Sequence, residues 1–214
     1  MLRIENIVLG MCATNCYLIF DDSVAEGTRP EAVIVDPAAD AYAIRDMINS
    51  YGVEPVAILL THGHFDHILA VDALRKEYGI KAYALLAEKQ ILSDAGNNLS
   101  LPFTGRAISI EADEYLMDSE VITLAGRDIK VINVPGHTIG GACYYFVNDK
   151  VLISGDTLFA NSVGRSDFPT GSGATLIRSI KEKLLTLPDD IKVYPGHNES
   201  TTIGFEKKNN LFLV

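Results

Sequence analysis

Apolar and polar residues alternate from Leu2 to Val8, the two-residue period of a strand that turns one face to a core. Compact apolar runs follow at Cys16 to Phe20 and Ala32 to Val35, with turn residues between them, and read as two further short strands. From Asp40, a side chain suited to an N-cap, the residues Ile44, Met47, Ile48 and Tyr51 recur with helical spacing until Gly52 supplies a stop. That segment is predicted as an amphipathic helix.

Val56 to Leu60 is a second kind of signal, an uninterrupted apolar run that suits a buried strand, and Thr61 to His67 lie in the loop at its carboxyl end. A helix through Leu69 to Tyr78, a strand at Lys81 to Ala84 and a short helix from Glu88 are predicted next. The turn-rich stretch from Ala95 to Asp113 reads as irregular. Strands resume at Val121 to Leu124, Ile129 to Val134, Ala142 to Val147 and Val151 to Ile153, followed by a helix from Ala174 to Leu187 and a strand at Lys192 to Tyr194. Strands followed by a helix in both halves suit two packed sheets with helices outside, an α/β architecture of the α+β type: an αββα sandwich forming one domain over residues 1–214.

Composition narrows the class of partner. Lys and Arg total 18 against 28 Asp and Glu, a net charge of 18 − 28 = −10, so a phosphate backbone is repelled and nucleic acid is not expected. Residues 7–20 resemble the apolar core of a signal peptide, but Thr14 and Asn15 interrupt them, and two strands explain the run better. No stretch reaches the ~18 apolar residues of a bilayer span, so no membrane association is expected. The three cysteines, an odd number, do not suggest a disulfide framework. These features predict a cytoplasmic protein. Cys12, Cys16 and Cys143 sit beside apolar strand residues and are expected to pack as small hydrophobes without redox or metal roles.

Candidate chemistry is concentrated in the histidines. Residues 61–67 read Thr-His-Gly-His-Phe-Asp-His and bring the potential ligands His62, His64, Asp66 and His67 into one short loop. His137 in Pro-Gly-His-Thr and His197 in Tyr-Pro-Gly-His each follow an apolar strand, and Asp156 in Ile-Ser-Gly-Asp-Thr does the same. A carboxylate can bridge two cations through its two oxygens. Imidazole and carboxylate donors favour zinc, with iron or manganese as alternatives, and exclude a thiolate-rich structural site. All five histidines of the chain lie in strand-end loops beside glycine or aspartate.

The His-x-His-x-Asp-His run, with the later His137, Asp156 and His197, resembles the metallo-β-lactamase superfamily over nearly the whole chain. Ser-Gly-Asp-Thr-Leu-Phe from Ser154, Ser-Val-Gly-Arg-Ser-Asp-Phe-Pro from Ser162 and Thr-Thr-Ile-Gly from Thr201 are similar to the short bacterial glyoxalase II-like hydrolases. The resemblance implies two mixed β-sheets flanked by helices. It also implies two divalent metal ions, the first held by His62, His64 and His137, the second by Asp66, His67 and His197, with Asp156 between them. Asp66 and Asp156 are thereby expected in catalysis as well as in metal binding. Glu199 stands where the family carries a tyrosine, which places a carboxylate where it repels an anionic thiol carrier, and Asn198 replaces a glycine. Only 17 residues follow His197 (214 − 197), so the helical element with which longer glyoxalase II enzymes hold glutathione is not expected.

A water shared by two cations becomes a hydroxide nucleophile near neutral pH, which makes a metal-dependent hydrolase of small-molecule acyl thioesters the leading expectation. A thiolate leaves without a proton donor, and no dedicated general acid is evident. Asp36 and Thr61 are candidates for orienting metal-bound imidazoles from behind. Arg165 is a candidate for gripping a substrate carboxylate, or for an ion pair with Asp167. The alternatives are a mono-iron persulfide dioxygenase using His62, His137 and Asp156, a lactonase or β-lactamase, a nuclease, which the acidic balance disfavours, and a structural metal site, which four protein ligands would close.

Overall fold

The computed structural model describes residues 1–25 and 27–214. The alternation that begins the chain closes into a hairpin in which β1 (Leu2–Leu9) pairs antiparallel with β2 (Thr14–Asp21). β3 (Glu31–Val35) joins β2 antiparallel, and α1 (Ala41–Tyr51) carries the chain across to β4 (Glu54–Leu59), parallel to β3. Asp40 accepts from the Ala43 N–H at one end of α1, and Gly52, with φ 64°, donates to the Asn49 and Ile48 carbonyls at the other. β4 starts earlier than its apolar run and includes Pro55. That residue has no N–H to donate, and the ladder with β3 slips register between Ala32 and Val33.

Beyond β4 come α2 (Phe65–Ile68), a single turn in the stretch predicted as loop, and α3 (Val71–Tyr78), which fills most of the helix predicted through Leu69 to Tyr78. β5 (Lys81–Leu85) follows, then α4 (Lys89–Ser93) after a 3₁₀ turn, α5 (Ser100–Thr104) and β6 (Glu114–Leu116). The stretch expected to be irregular therefore contains a short helix, and β6 closes the first sheet in the order β1-β2-β3-β4-β5-β6. β7 (Val121–Leu124), β8 (Arg127–Asn133), β9 (Ala142–Phe146) and β10 (Val151–Gly155) form an antiparallel meander. After it come the small hairpin β11 (Leu158–Phe159) and β12 (Ser162–Val163), then α6 (Gly173–Ser179), which runs into a π-turn over Ile180–Leu184. β13 (Lys192–Pro195), β14 (Thr201–Thr202) and α7 (Ile203–Asn209) end the order, and the second sheet reads β14-β13-β10-β9-β8-β7.

Three apolar layers follow from the strand alternation. Tyr17, Ile19, Val33, Val35 and Leu59 of the first sheet face Ile129, Val131, Tyr144, Phe146 and Ile153 of the second. The intervening residues Leu18, Phe20, Ile34 and Ile58 point outward to Ile44 and Ile48 of α1 and to Val71 and Leu74 of α3. On the far side Ile132, Cys143, Leu152 and Val193 meet Leu176 of α6, Ile180 and Leu184 of the π-turn, and Ile203 of α7. Each side chain of this size contributes about 1.5–3 kcal/mol when fully buried. The result is an αββα sandwich of two mixed sheets flanked by helices. Among the described residues no helix is long and apolar enough to cross a membrane.

Cys16 and Cys143 lie in these layers, but Cys12 does not. It sits in the turn between β1 and β2, exposed, against the cavity described next, and this corrects the expectation that it packs in the core. An apolar neighbourhood in sequence does not bury a residue at a hairpin tip.

Candidate metal centre

The carboxyl ends of β4, β10 and β13 meet at one rim of the sandwich, where both sheets contribute loops. His62 and His64 lie in the loop after β4, His64 in extended backbone, while Asp66 and His67 are carried by the single turn of α2. His137 follows β8, Asp156 follows β10 and His197 follows β13. The ligand atoms of His62, His64 and His137 lie within 4.8 Å of one another, and so do those of Asp66, His67 and His197. Asp156 stands between the two groups, 3.5 Å from His67 Nε2, 3.3 Å from His197 Nε2 and 3.6 Å from His137 Nε2.

Hydrogen bonds behind the rings decide which nitrogen faces inward. His137 Nδ1 lies 2.6 Å from the Arg165 carbonyl oxygen, which can only accept, so the proton is on Nδ1 and Nε2 presents an electron pair. His197 Nδ1 is backed in the same way by the Ala13 carbonyl at 3.4 Å. Asp36 accepts from the Thr61 N–H at 2.8 Å and the Thr61 hydroxyl at 2.6 Å, and lies 2.9 Å from His67 Nδ1. With its own proton given to Asp36, the Thr61 oxygen accepts from His62 Nδ1 at 3.1 Å. Four imidazoles therefore turn Nε2 toward the centre. His62 Nε2 and His64 Nδ1 lie 3.3 and 2.9 Å from His137 Nε2; with His62 and His137 both protonated on Nδ1, their two Nε2 electron pairs face each other and a single proton from His64 Nδ1 serves only one of them. His67 Nε2 and Asp156 Oδ1 are buried with no hydrogen-bond partner. Divalent cations fit this donor set.

The titration behaviour supports the same division. Burial, reinforced by the neighbouring histidines, lowers His62 well below the usual imidazole range and lowers His64 to about 3. Burial also lowers His137, against the pull of Asp156. The second group behaves oppositely. Burial would depress His67, but Asp66, Asp156 and Asp36 outweigh it and raise the ring to about 9. At His197, Asp156 and Asp66 outweigh burial and raise the ring to about 11. Asp66 and Asp156 are held below the usual carboxylate range despite their burial, chiefly by His67, with Asp156 at about 2. Protons on His67 and His197 thus balance carboxylates that a cation would balance, so metal binding displaces protons.

Several supporting residues carry no motif that the chain pattern singles out. Thr14 donates its hydroxyl to Asp66 Oδ2 at 3.0 Å. Asn15 donates to the carbonyls of Pro195 and Asn198, each at 3.0 Å, and the Tyr17 hydroxyl donates to Pro195 at 2.6 Å. The start of β2 thereby anchors the His197 turn. The available signal was the polar pair Thr14–Asn15 inside an apolar run, which identifies an interruption without revealing its partner. Glu88, fully buried before α4, accepts from the Thr138 hydroxyl and the Gly140 N–H beside His137, and burial pushes its carboxyl up to about 8. Two glycines are sterically required. A Cβ at Gly196 would lie 2.2 Å from Asp156 Oδ1, and one at Gly136 would lie 2.3 Å from the Leu176 nitrogen. Asn198, at φ 64°, occupies the left-handed conformation that asparagine tolerates nearly as well as glycine.

The ligand residues His64, Asp66, His137, Asp156 and His197 line a cavity of about 320 Å³ that also takes in Cys12, Phe65, Leu99, Phe103, Phe159, Phe168 and Asn198. Arg165 lines it as well, but its guanidinium is paired with Asp167 at 3.0 and 2.7 Å and lies 4.2 Å over the Phe168 ring. What this residue gives the centre is its carbonyl, which orients His137.

The chain resembles known proteins over nearly its whole length. The metallo-beta-lactamase superfamily model matches residues 9–197. The hydroxyacylglutathione hydrolase GloC of Haemophilus influenzae is 35% identical over 219 residues, covering 99% of this chain and 98% of that protein. Among solved structures, the BLEG-1 B3 metallo-beta-lactamase superposes with a TM-score of 0.92 at 40% identity, covering 99% of this chain and 100% of that one. The protein TTHA1623, in a di-iron-bound form, superposes with a TM-score of 0.83 at 33% identity, covering 98% of this chain and 100% of that one.

Proposed function

Because the chain belongs to the metallo-beta-lactamase superfamily, we propose that it is a two-metal hydrolase of acyl thioesters, of the hydroxyacylglutathione hydrolase type. His62, His64 and His137 would hold one divalent cation, Asp66, His67 and His197 the other, and Asp156 would serve both. Cations held by these residues would supply Lewis acidity to a carbonyl oxygen and would lower the pKa of water toward about 7. Imidazole and carboxylate donors suit zinc, and iron suits them as the alternative. The observation that carries the reading is the pair of triads joined by Asp156, with His64, Asp66, His137, Asp156 and His197 lining one cavity.

The chain's own part is orientation and exclusion. Asp36, Thr61 and the carbonyls of Arg165 and Ala13 fix the ring tautomers, so the donors are set before any cation arrives. The phenylalanines of the wall keep water away from the reacting carbonyl. Outside the ligands the lining groups are phenylalanines, Leu99, Asn198, a permanently charged arginine and Cys12, whose thiol burial and Asp66 push up to about 11. None is a general acid matched to neutral pH. That absence suits a thiolate leaving group, which departs unprotonated, and it handicaps an amine.

The likeness to BLEG-1 favours a second reading, hydrolysis of the amide of a β-lactam ring. Assay of one holoenzyme preparation on S-lactoylglutathione and on a chromogenic cephalosporin separates the two. The proposal expects kcat/KM on the thioester to exceed that on the β-lactam by at least tenfold, and the reverse order would replace it with the second reading. We also place the protein in the cytoplasm, which suits three free cysteines, and read residues 1–214 as one domain, since loops from both sheets build the centre.

A further inference from the structure

Resting on the thioesterase part of that reading, and departing from its hydroxyacylglutathione substrate, the geometry points to a substrate that is apolar on its acyl side and uncharged on its thiol arm. An aromatic arc runs up the cavity wall from the first triad. The Phe168 ring meets His64 edge-on at 5.7 Å, Phe103 meets Phe168 at 6.0 Å, and Phe103 stacks on Phe65 at 5.7 Å with an interplanar angle of 22°. On the opposite flank Phe159 meets His197 at 6.2 Å. Phe103, on α5, is half exposed at the lip, so the arc extends from the metal ligands to solvent. Rings in this arrangement offer an apolar acyl group faces and edges on which to pack, and they offer a small hydroxyacyl group no hydrogen bond.

The charges of the cavity support the second half of the inference. A glutathione arm carries two carboxylates, and each needs a cation or several N–H donors to offset its desolvation. Arg165 is the cationic side chain of the lining apart from the histidine ligands, and its Nε and Nη2 are engaged by Asp167. A substrate carboxylate drawn to the guanidinium would meet Asp167 held against it, so the ion pair offers no net positive charge to an anionic arm. A second, open depression, lined by Glu199 to Thr202 and Lys192, contains one cation, Lys192, and one anion, Glu199, and so has no net positive charge. The reacting centre is therefore approached past rings and balanced charges, which suits a neutral arm.

A four-member panel on the metal-loaded enzyme tests this: acetyl and phenylacetyl thioesters, each on N-acetylcysteamine and on glutathione. The expected result is a kcat/KM at least tenfold higher for phenylacetyl than for acetyl on the neutral arm, with no gain from glutathione. Phe103→Ala should erase most of the acyl preference through KM, with metal content unchanged. Asp167→Asn should free Arg165 and raise kcat/KM several-fold on the glutathione thioesters alone. Hydrolysis that ignores the acyl group, or that prefers glutathione in the parent enzyme, overturns the inference while leaving the thioesterase reading in place. Cleavage of no thioester in the panel overturns both.

Discussion

At the scale of single residues, the centre depends on groups that never touch a substrate. Asp36 is the clearest case, since one carboxylate accepts from Thr61 twice and stands behind His67, and through Thr61 it also governs His62. Asp36→Asn keeps the volume and removes the charge that pins these protons. We expect metal affinity, read by chelator competition, to fall by about 10–100-fold, and an unchanged affinity would show that the ring orientations do not depend on Asp36. Glu88 gives a prediction of a different kind. Its carboxyl is raised to about 8 in the folded protein from an ordinary value of 4.5, so the folded state binds the extra proton between those values. The stabilisation is full below the unfolded pKa and is lost as pH rises through the folded one. Glu88→Gln, which cannot ionise, should therefore gain stability relative to the parent between pH 5 and 8. The gain should reach the order of a few kcal/mol at the upper end of that window, because each tenfold difference in proton affinity between the folded and unfolded states is worth about 1.4 kcal/mol. Urea titrations of both proteins at several pH values would show it, and parallel pH profiles would refute it.

At the scale of elements, the parts legible in the sequence are those whose pattern is local. The alternation of β1, the capped periodicity of α1 and the apolar runs of β4 and β10 each reflect burial of one face or of both, and burial is written in the order of residues. The less legible parts take their form from distant partners. α5 lies in a turn-rich stretch and is held by Asn98, whose side chain donates to the Leu92 and Ile108 carbonyls. α7 begins at Thr202 and is tied back to the β11–β12 hairpin by Glu206 and Asn210. The candidate ligands were legible because histidine is scarce in this chain, whereas Thr14 and Asn15 gain their meaning only once β2 lies against the His197 turn. α6 shows how an outer helix reaches the centre. Leu176 is buried in the outer layer and its backbone lies against Gly136, next to His137. Leu176→Ala should destabilise the fold by about 2–5 kcal/mol, as cavity-forming core changes do. It should also lower metal affinity at the first triad more than a Leu74→Ala change under α3, and equal effects on affinity would mean that α6 does not position His137.

At the scale of the whole molecule, the two sheets meet their helices on the outside and each other in the middle, and the rim where β4, β10 and β13 end gathers the polar residues that the layers exclude. Each sheet alone supplies only part of either triad. The three carboxylates Asp36, Asp66 and Asp156 sit among five histidines in a centre that protons or cations must neutralise, so metal affinity should rise with pH as His67 and His197 give up protons. The most direct test of the central claim is elemental analysis of freshly purified protein paired with thiol release from an acyl thioester under anaerobic conditions. About two metals per chain, with thiol released in proportion to metal content, is the predicted result. One iron per chain with no thiol released would contradict the account and point instead to oxygen-dependent chemistry at His62, His137 and Asp156.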